Sequence, residues 1–465
     1  MVQDSKLKEL GEAPLGRLLV KYSWPALVSM TLNALYSVVD RFYIGNGCGM
    51  DAMAGMSFTI PIMMVFAAFG VWIGAGHSAL LSIKLGEGDR QTAEKTLGQL
   101  VAFKVSFFFI LPILVLPFLD SLLKAMGGAD VSAEALRQAR CYLFIVLPPQ
   151  IFLHLAFGLS AMMRAEGAVR QSMMCMVVGF LLNMVLDPVL IFGCGMGVAG
   201  AAWATNVAML CSCLWALSYY LRGKSVVALR LSAIRFQRRL VTRAMGIGMA
   251  PFLQQVLGAL ITLSLPKVLT LWSQTPEEAT VQVAALGIFH AVMFLCFMPV
   301  LGLQQGISPI MGFNWGARIY GRVRAVFVLG FWITTALVSL ASFSQLLVPD
   351  LIARAFGATG DCLAASVKVL RVSNCMLWCI GINVMATTYF QSIGKPLTAI
   401  LLSTLRQGVC LLPCLWLLPY FITSDPVLAI WLALPISDVL CQLATLPPLY
   451  LHLRFLKRAA KLKQV

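Results

Sequence analysis

The chain has 465 residues, 60% of them hydrophobic and only 12% charged, with a mean hydropathy of +0.86, whereas soluble domains carry about 25% charged residues. That balance excludes a water-soluble fold, and the lack of period-two alternation in the apolar runs excludes a transmembrane barrel. The net charge of +16 does not point to nucleic acid, because the basic residues lie between apolar runs, where anionic lipid is a sufficient counterpart.

In chain order, the opening stretch MVQDSKLKELGEAPLG is charged and amphipathic, unlike a cleavable signal peptide. Six apolar runs follow at 15–45, 52–82, 96–119, 139–163, 172–194 and 197–221. Each can cross a hydrocarbon core about 30 Å thick at about 1.5 Å per helical residue. A connection at 222–245 carries Arg222, Lys224, Arg230, Arg235, Arg238, Arg239 and Arg243 with no acid. Six further runs occupy 246–271, 281–313, 324–348, 363–391, 396–420 and 426–451, and a basic tail covers 452–465. The expected fold is an all-α polytopic membrane protein of twelve transmembrane helices, with an N-terminal lobe at 1–221 and a C-terminal lobe at 246–451. Several runs exceed what a bilayer needs, so tilts and kinks are expected. An even number of spans puts both termini on one side. The concentration of Lys and Arg in the connection, the tail and alternate loops assigns that side to the cytoplasm.

The halves are weakly similar. GAGHSALLSIKLG (from Gly74) and QQGISPIMGFNWG (from Gln304) end the second span of each half, and SAMMRAEGAVRQS (from Ser160) and TTYFQSIGKPLTA (from Thr387) link the fourth and fifth. Because each half holds an even number of spans, the repeat is parallel, with a pseudo-twofold axis along the membrane normal. Two facing bundles of this kind suit alternating access.

Of 19 acids, only Asp40, Asp187 and Asp438 lie well inside apolar runs. An acid at mid-helix costs about 2.5–3.5 kcal/mol on insertion scales, so such residues mark ion or proton pathways. In NMVLDPVLIFG (Asn183 to Gly193), Asn183 and Asp187 share a helical face, and Pro188 cannot donate to the carbonyl of Met184. Counted from the expected outer ends, Asp40, Asp187 and Thr205 sit about 8, 10 and 12 Å deep. This oxygen-rich level suits a small hard cation, or a proton held by two mutually repelling carboxylates. Na⁺ and H⁺ both remain admissible, and Arg41 is a candidate partner for Asp40. Asn33 and Tyr36 share the Asp40 face. With Met63, Gln255 and Met293 they are the candidate residues for contact with a substrate, methionine being an adaptable surface. The 13 cysteines read as small hydrophobes, with Cys48 and Cys194 the one conceivable disulfide. No Cys/His metal spacing occurs.

These stretches carry a resemblance. LYSVVDRFYIG (Leu35 to Gly45), the glycine-rich end of the second span, NMVLDPVLIFG and GVAGAAWAT (Gly197 to Thr205) resemble the MATE (multidrug and toxic compound extrusion) family over nearly the whole chain. SIGKPLTAILLSTLRQG (from Ser392) is similar to its MepA-like bacterial multidrug branch. The resemblance implies export of amphipathic, often cationic organic compounds across a bacterial cytoplasmic membrane, driven by inward H⁺ or Na⁺. Carried over by motif, the cation or proton site is Asp40, Asn183, Asp187 and Thr205, and Pro25 is the position where the first span bends. The chain departs from other branches in lacking any acid in 246–271 and 363–391, which puts a second-lobe cation site in doubt. Asp438 is expected to be structural, and Arg406 to pair internally or reach the interface. No cofactor, nucleic acid or obligate protein partner is implied. Primary ATP-driven transport is disfavoured, since Ser218 stands where a phosphate loop before Gly223–Ser225 needs glycine. The rival readings are a lipid-linked oligosaccharide flippase of the same superfamily and, further off, a membrane-embedded enzyme, which would need a nucleophile–base pair that no span contains.

Overall fold

The computed structural model describes residues 2–127, 132–230 and 236–462, and within them every regular element is helical. The chain separates into two compact units, Met1–Gly248 and Met249–Val465. The first contains α1 (Val2–Glu12), α2 (Leu15–Gly86), α3 (Arg90–Val115), α4 (Leu119–Gly127), α5 (Ala133–Val146), α6 (Gln150–Ala165), α7 (Val169–Pro188) and α8 (Gly197–Leu221). The boundary falls inside α9 (Arg238–Trp272). The second unit continues with α10 (Pro276–Gly316), α11 (Tyr320–Leu347), α12 (Pro349–Ala355), α13 (Gly360–Asn374), α14 (Gly381–Ser392), α15 (Pro396–Thr404), α16 (Leu412–Phe421) and α17 (Pro426–Leu462).

Among the described residues nine helices are long and apolar enough to cross a membrane, and eleven if each of two bent pairs is one span. The segment 15–45, expected as the first span, is helical but is not among them. It is separated from the next span by Gly49, whose φ of 82° breaks the helical path inside α2. The expected spans 139–163 and 363–391 are both broken. The α5–α6 pair bends by 57° at Pro148 and Pro149, which remove two donors from the helical ladder. The break after α13 bends by 41° without a proline. There the Ser342 hydroxyl donates to the carbonyl of Asn374 at 2.7 Å and takes up the acceptor that the interrupted helix releases.

The repeat seen in the sequence reappears in backbone hydrogen bonds. After α2, Gly88 N–H donates to Leu85 and Asp89 N–H to Lys84; after α10, Arg318 N–H donates to Trp315 and Ile319 N–H to Asn314. The turns after α6 and α14 form a second matching pair. Gly167 donates to Arg164 and Ala168 to Met163, while Gly394 donates to Gln391 and Lys395 to Phe390. Each is a left-handed closure that satisfies the last helical carbonyls. Glycine supplies the positive φ at Gly88, Gly167 and Gly394, whereas Arg318 adopts φ 58° without it, a conformation that costs a non-glycine residue about 1–2 kcal/mol.

Side-chain packing follows from apolar solvation on the outside and small residues within. A Cβ on Gly76 would collide with the carbonyl of Ala244, and one on Gly248 with that of Trp72, so α2 and α9 approach backbone to backbone. In the second unit, α9, α10, α13, α16 and α17 enclose a core built around Leu265, Phe289, Leu370, Leu415 and Trp431.

Candidate cation site

The four residues named from the sequence as a cation or proton site, Asp40, Asn183, Asp187 and Thr205, all lie buried in the first unit. α7 places Asn183 and Asp187 one turn apart, so the Asn183 amide donates to Asp187 Oδ1 at 3.2 Å. The same Nδ2 donates to Thr205 Oγ1 on α8 at 3.3 Å. Asp187 is fully buried, Asn183 and Thr205 nearly so, and Asp40 on α2 is buried too. Asp40 lies close enough to Asp187 for the two carboxylates to repel. The side chain of Arg41, the candidate partner of Asp40, lies outside the described residues.

Two acceptors at this level are buried without a hydrogen-bond partner: Asp187 Oδ2 and Asn183 Oδ1. An orphaned buried acceptor is costly, and more so on a carboxylate. The donor set is all oxygen, which fits a small hard cation and equally fits a proton placed on Asp187. No cluster of three or more His, Cys, Asp or Glu side chains with metal-ligating potential occurs among the described residues.

Beyond the expected loss of one donor, Pro188 marks a change of helix type. α7 ends on it and the chain widens into a π-helical turn at Val189–Gly193, where Cys194 N–H reaches back to the carbonyl of Val189. Single π turns of this kind recur at functional sites. Cys194 and Cys48, like the other cysteines, are free thiols.

Of the expected substrate residues, Tyr36 stacks on Phe180 of α7 with ring centroids 5.8 Å apart, and both Tyr36 and Asn33 are partly buried on α2. Met63 accepts from the Gln150 amide at 3.5 Å and packs on the apolar cluster around Ile44 and Tyr142. Gln255 and Met293 lie in the second unit, Met293 packed between two apolar clusters there. Pro25 stays within α2, its carbonyl accepting from the Ser29 hydroxyl at 2.9 Å.

Two residues escaped the sequence reading. Tyr142 on α5 interacts with Thr205, as Tyr36 does, and both phenols feel the charges of Asp40 and Asp187. Nothing in CYLFIVLPP marks it as polar-facing, because a tyrosine in an apolar helix is ordinary. Lys104 on α3 is the other. It is buried, with its ammonium donating to the carbonyls of Gly70 at 3.0 Å and His154 at 2.6 Å, while Phe108 stacks on His154. Its signal was legible, a lone base inside an expected span, and the test applied to the acids would have found it.

The second unit is organised otherwise. Asp438 is buried and accepts from Arg406 Nε at 2.7 Å, from a π-helical stretch at Leu405–Leu411. Asn383 donates to Thr445 at 3.2 Å and to the carbonyl of Leu402 at 3.1 Å. The buried acid Asp438 is therefore neutralised by a built-in base, whereas Asp187 has an amide and a hydroxyl about it.

Comparison with known proteins decides the lineage. A profile of the MatE family matches residues 25–189 and 256–417. The chain belongs to the MATE family. It is 24% identical over 454 residues, 97% of each chain, to the multidrug export protein MepA of Staphylococcus aureus (strain MSSA476). It is 24% identical over 421 residues, 90% of each chain, to MepA of Staphylococcus haemolyticus (strain JCSC1435). Among solved structures, it superimposes on MATE in the bent conformation with a TM-score of 0.89 at 21% identity, covering 98% of this chain and 99% of that one. An outward-facing multidrug resistance MATE family transporter of the MOP superfamily gives a TM-score of 0.88 at 21% identity, over 97% and 98% of the two chains. The MATE fold and a polytopic membrane protein of the transporter class follow.

Proposed function

We propose that this MATE protein is a secondary antiporter that exports amphipathic, cationic organic compounds from a bacterial cell in exchange for H⁺ or Na⁺. The observation that carries the reading is the orphaned oxygen of Asp187, buried beside the orphaned carbonyl oxygen of Asn183. A carboxylate left this way favours taking up a cation from the side where cations are abundant and releasing it where they are scarce. Asp40 adds a second negative charge at the same level, and the Asn183 amide holds both Asp187 and Thr205 in register. Binding of the cation neutralises the cluster, and departure restores the repulsion; a two-lobe protein couples that change to alternating access. The relatives are named multidrug export proteins, which supports small organic substrates for this chain. Both termini lie in the cytoplasm, and the membrane is the cytoplasmic one.

The test is uptake of a fluorescent organic cation into inverted vesicles under an imposed H⁺ or Na⁺ gradient. Asp187→Asn and Asp40→Asn are each expected to reduce gradient-driven uptake at least about tenfold, the scale of one lost interaction of about 1.4 kcal/mol or more. Uptake unchanged in both variants would remove the cluster from the coupling mechanism. The gradient that sustains wild-type uptake identifies the ion.

A further inference from the structure

A groove of about 540 Å³ opens between the start of α11 and the end of α17. Its walls are Arg324 and Val328 from α11, and Tyr450, Leu453, Arg454, Lys457 and Arg458 from α17. The helices are antiparallel neighbours here, because a Cβ on Gly321 would sit 3.9 Å from the Cβ of Ala460. The four basic side chains are exposed, and none is paired with an acid among the described residues.

Below the basic rim the same two faces become apolar. On α11, Arg324, Val328 and Trp332 follow at steps of four, and on α17 Arg454, Tyr450 and Leu446 do the same in reverse. Trp332 is 63% exposed, Tyr450 64%, Leu446 45% and Leu443 62%. The groove thus has cations at its mouth and Val328 and Tyr450 one turn below them, and the exposed Trp332 and Leu446 follow a turn further along the same two helices. Aromatic rings of this kind sit at the headgroup level of a bilayer. Basic pockets between helices at that boundary suit anionic lipid headgroups.

We infer that this groove is a binding site for an anionic phospholipid, with its phosphate among Arg324, Arg454, Lys457 and Arg458 and an acyl chain along Val328, Trp332 and Leu446. A soluble phosphate engages the cations alone, whereas a phospholipid engages both the cations and the lipid-facing apolar side chains in the turns below them. With the termini cytoplasmic, as proposed above, the site lies in the inner leaflet.

Native mass spectrometry of the purified protein in detergent tests the site with dioleoyl phosphatidylglycerol, dioleoyl phosphatidylcholine and glycerol 3-phosphate as probes. Arg324→Gln/Arg454→Gln/Lys457→Gln/Arg458→Gln is expected to bind phosphatidylglycerol at least about tenfold more weakly than wild type. Arg222→Gln/Arg238→Gln/Arg239→Gln/Arg243→Gln, which removes the same charge elsewhere, is expected to retain it. Trp332→Ala, with every cation in place, is expected to weaken phosphatidylglycerol binding too. Wild type should show little phosphatidylcholine adduct, and glycerol 3-phosphate should not displace the bound lipid. Undiminished binding in the groove variant, equal loss in the charge-matched control, or displacement by glycerol 3-phosphate would each overturn the assignment.

Discussion

Asp187 and Asp438 are both buried acids in apolar helices, and their neighbours give them opposite parts. Asp438 faces a guanidinium at 2.7 Å, while Asp187 faces an amide and retains an unsatisfied oxygen. Removing one partner of a buried ion pair strands the other, at about 3 kcal/mol or more. Arg406 retains 20% side-chain exposure, which places the effect at the low end. Asp438→Asn is expected to lower the thermal unfolding temperature of the purified protein, and Asp438→Leu combined with Arg406→Leu to recover much of the loss. Asp187→Asn strands no base, so it is expected to shift unfolding less than Asp438→Asn while reducing gradient-driven uptake at least about tenfold. Both acids were legible in the sequence because hydropathy makes any charge conspicuous. Asp438 was expected to be structural and Arg406 to pair internally or reach the interface, but that the two pair with each other was not legible, since they lie 32 residues apart and composition carries no information about which helix faces which.

Elements add a feature that residue types alone do not reveal. Glu166, in the turn after α6, accepts from the Ser225 hydroxyl at 2.8 Å and from Val226 N–H at 2.9 Å, and Arg90 donates to the carbonyl of Val226 at 2.8 Å. The start of the basic connection is thereby clasped to the first unit. Burial raises the Glu166 carboxyl above the usual carboxylate range, partly opposed by Tyr219, Ser225, Val226 N–H and Lys6. A raised value means that the folded chain holds this proton more tightly than the unfolded one. The associated stabilisation is complete below the usual range and is lost as pH rises through the raised value. Deuterium uptake at 222–230, corrected for intrinsic exchange, is therefore expected to increase with pH, and Glu166→Gln, which cannot ionise, to flatten that dependence. The sequence showed the Glu166–Gly167 turn and the acid-free connection, but not that one closes on the other. Spans read as continuous at 139–163 and 363–391 proved broken for a similar reason. Pro148–Pro149 was a visible cause of the first break, whereas the second depends on a hydroxyl from another helix.

For the whole molecule, the distribution of Lys and Arg supports cytoplasmic termini. A C-terminal fluorescent-protein fusion is expected to fluoresce, and a C-terminal alkaline phosphatase fusion to be inactive; an active phosphatase would reverse the orientation and move the lipid groove to the outer leaflet. Membrane residence, helical class and the few candidate acids were determined by the sequence itself, because hydrocarbon demands long apolar helices and makes every buried charge an exception. Only the tertiary structure decided which exception has a partner. It set Arg406 against Asp438, brought Tyr142 from a broken helix to Thr205, and left one oxygen of Asp187 without a donor, because those outcomes depend on contacts between distant helices.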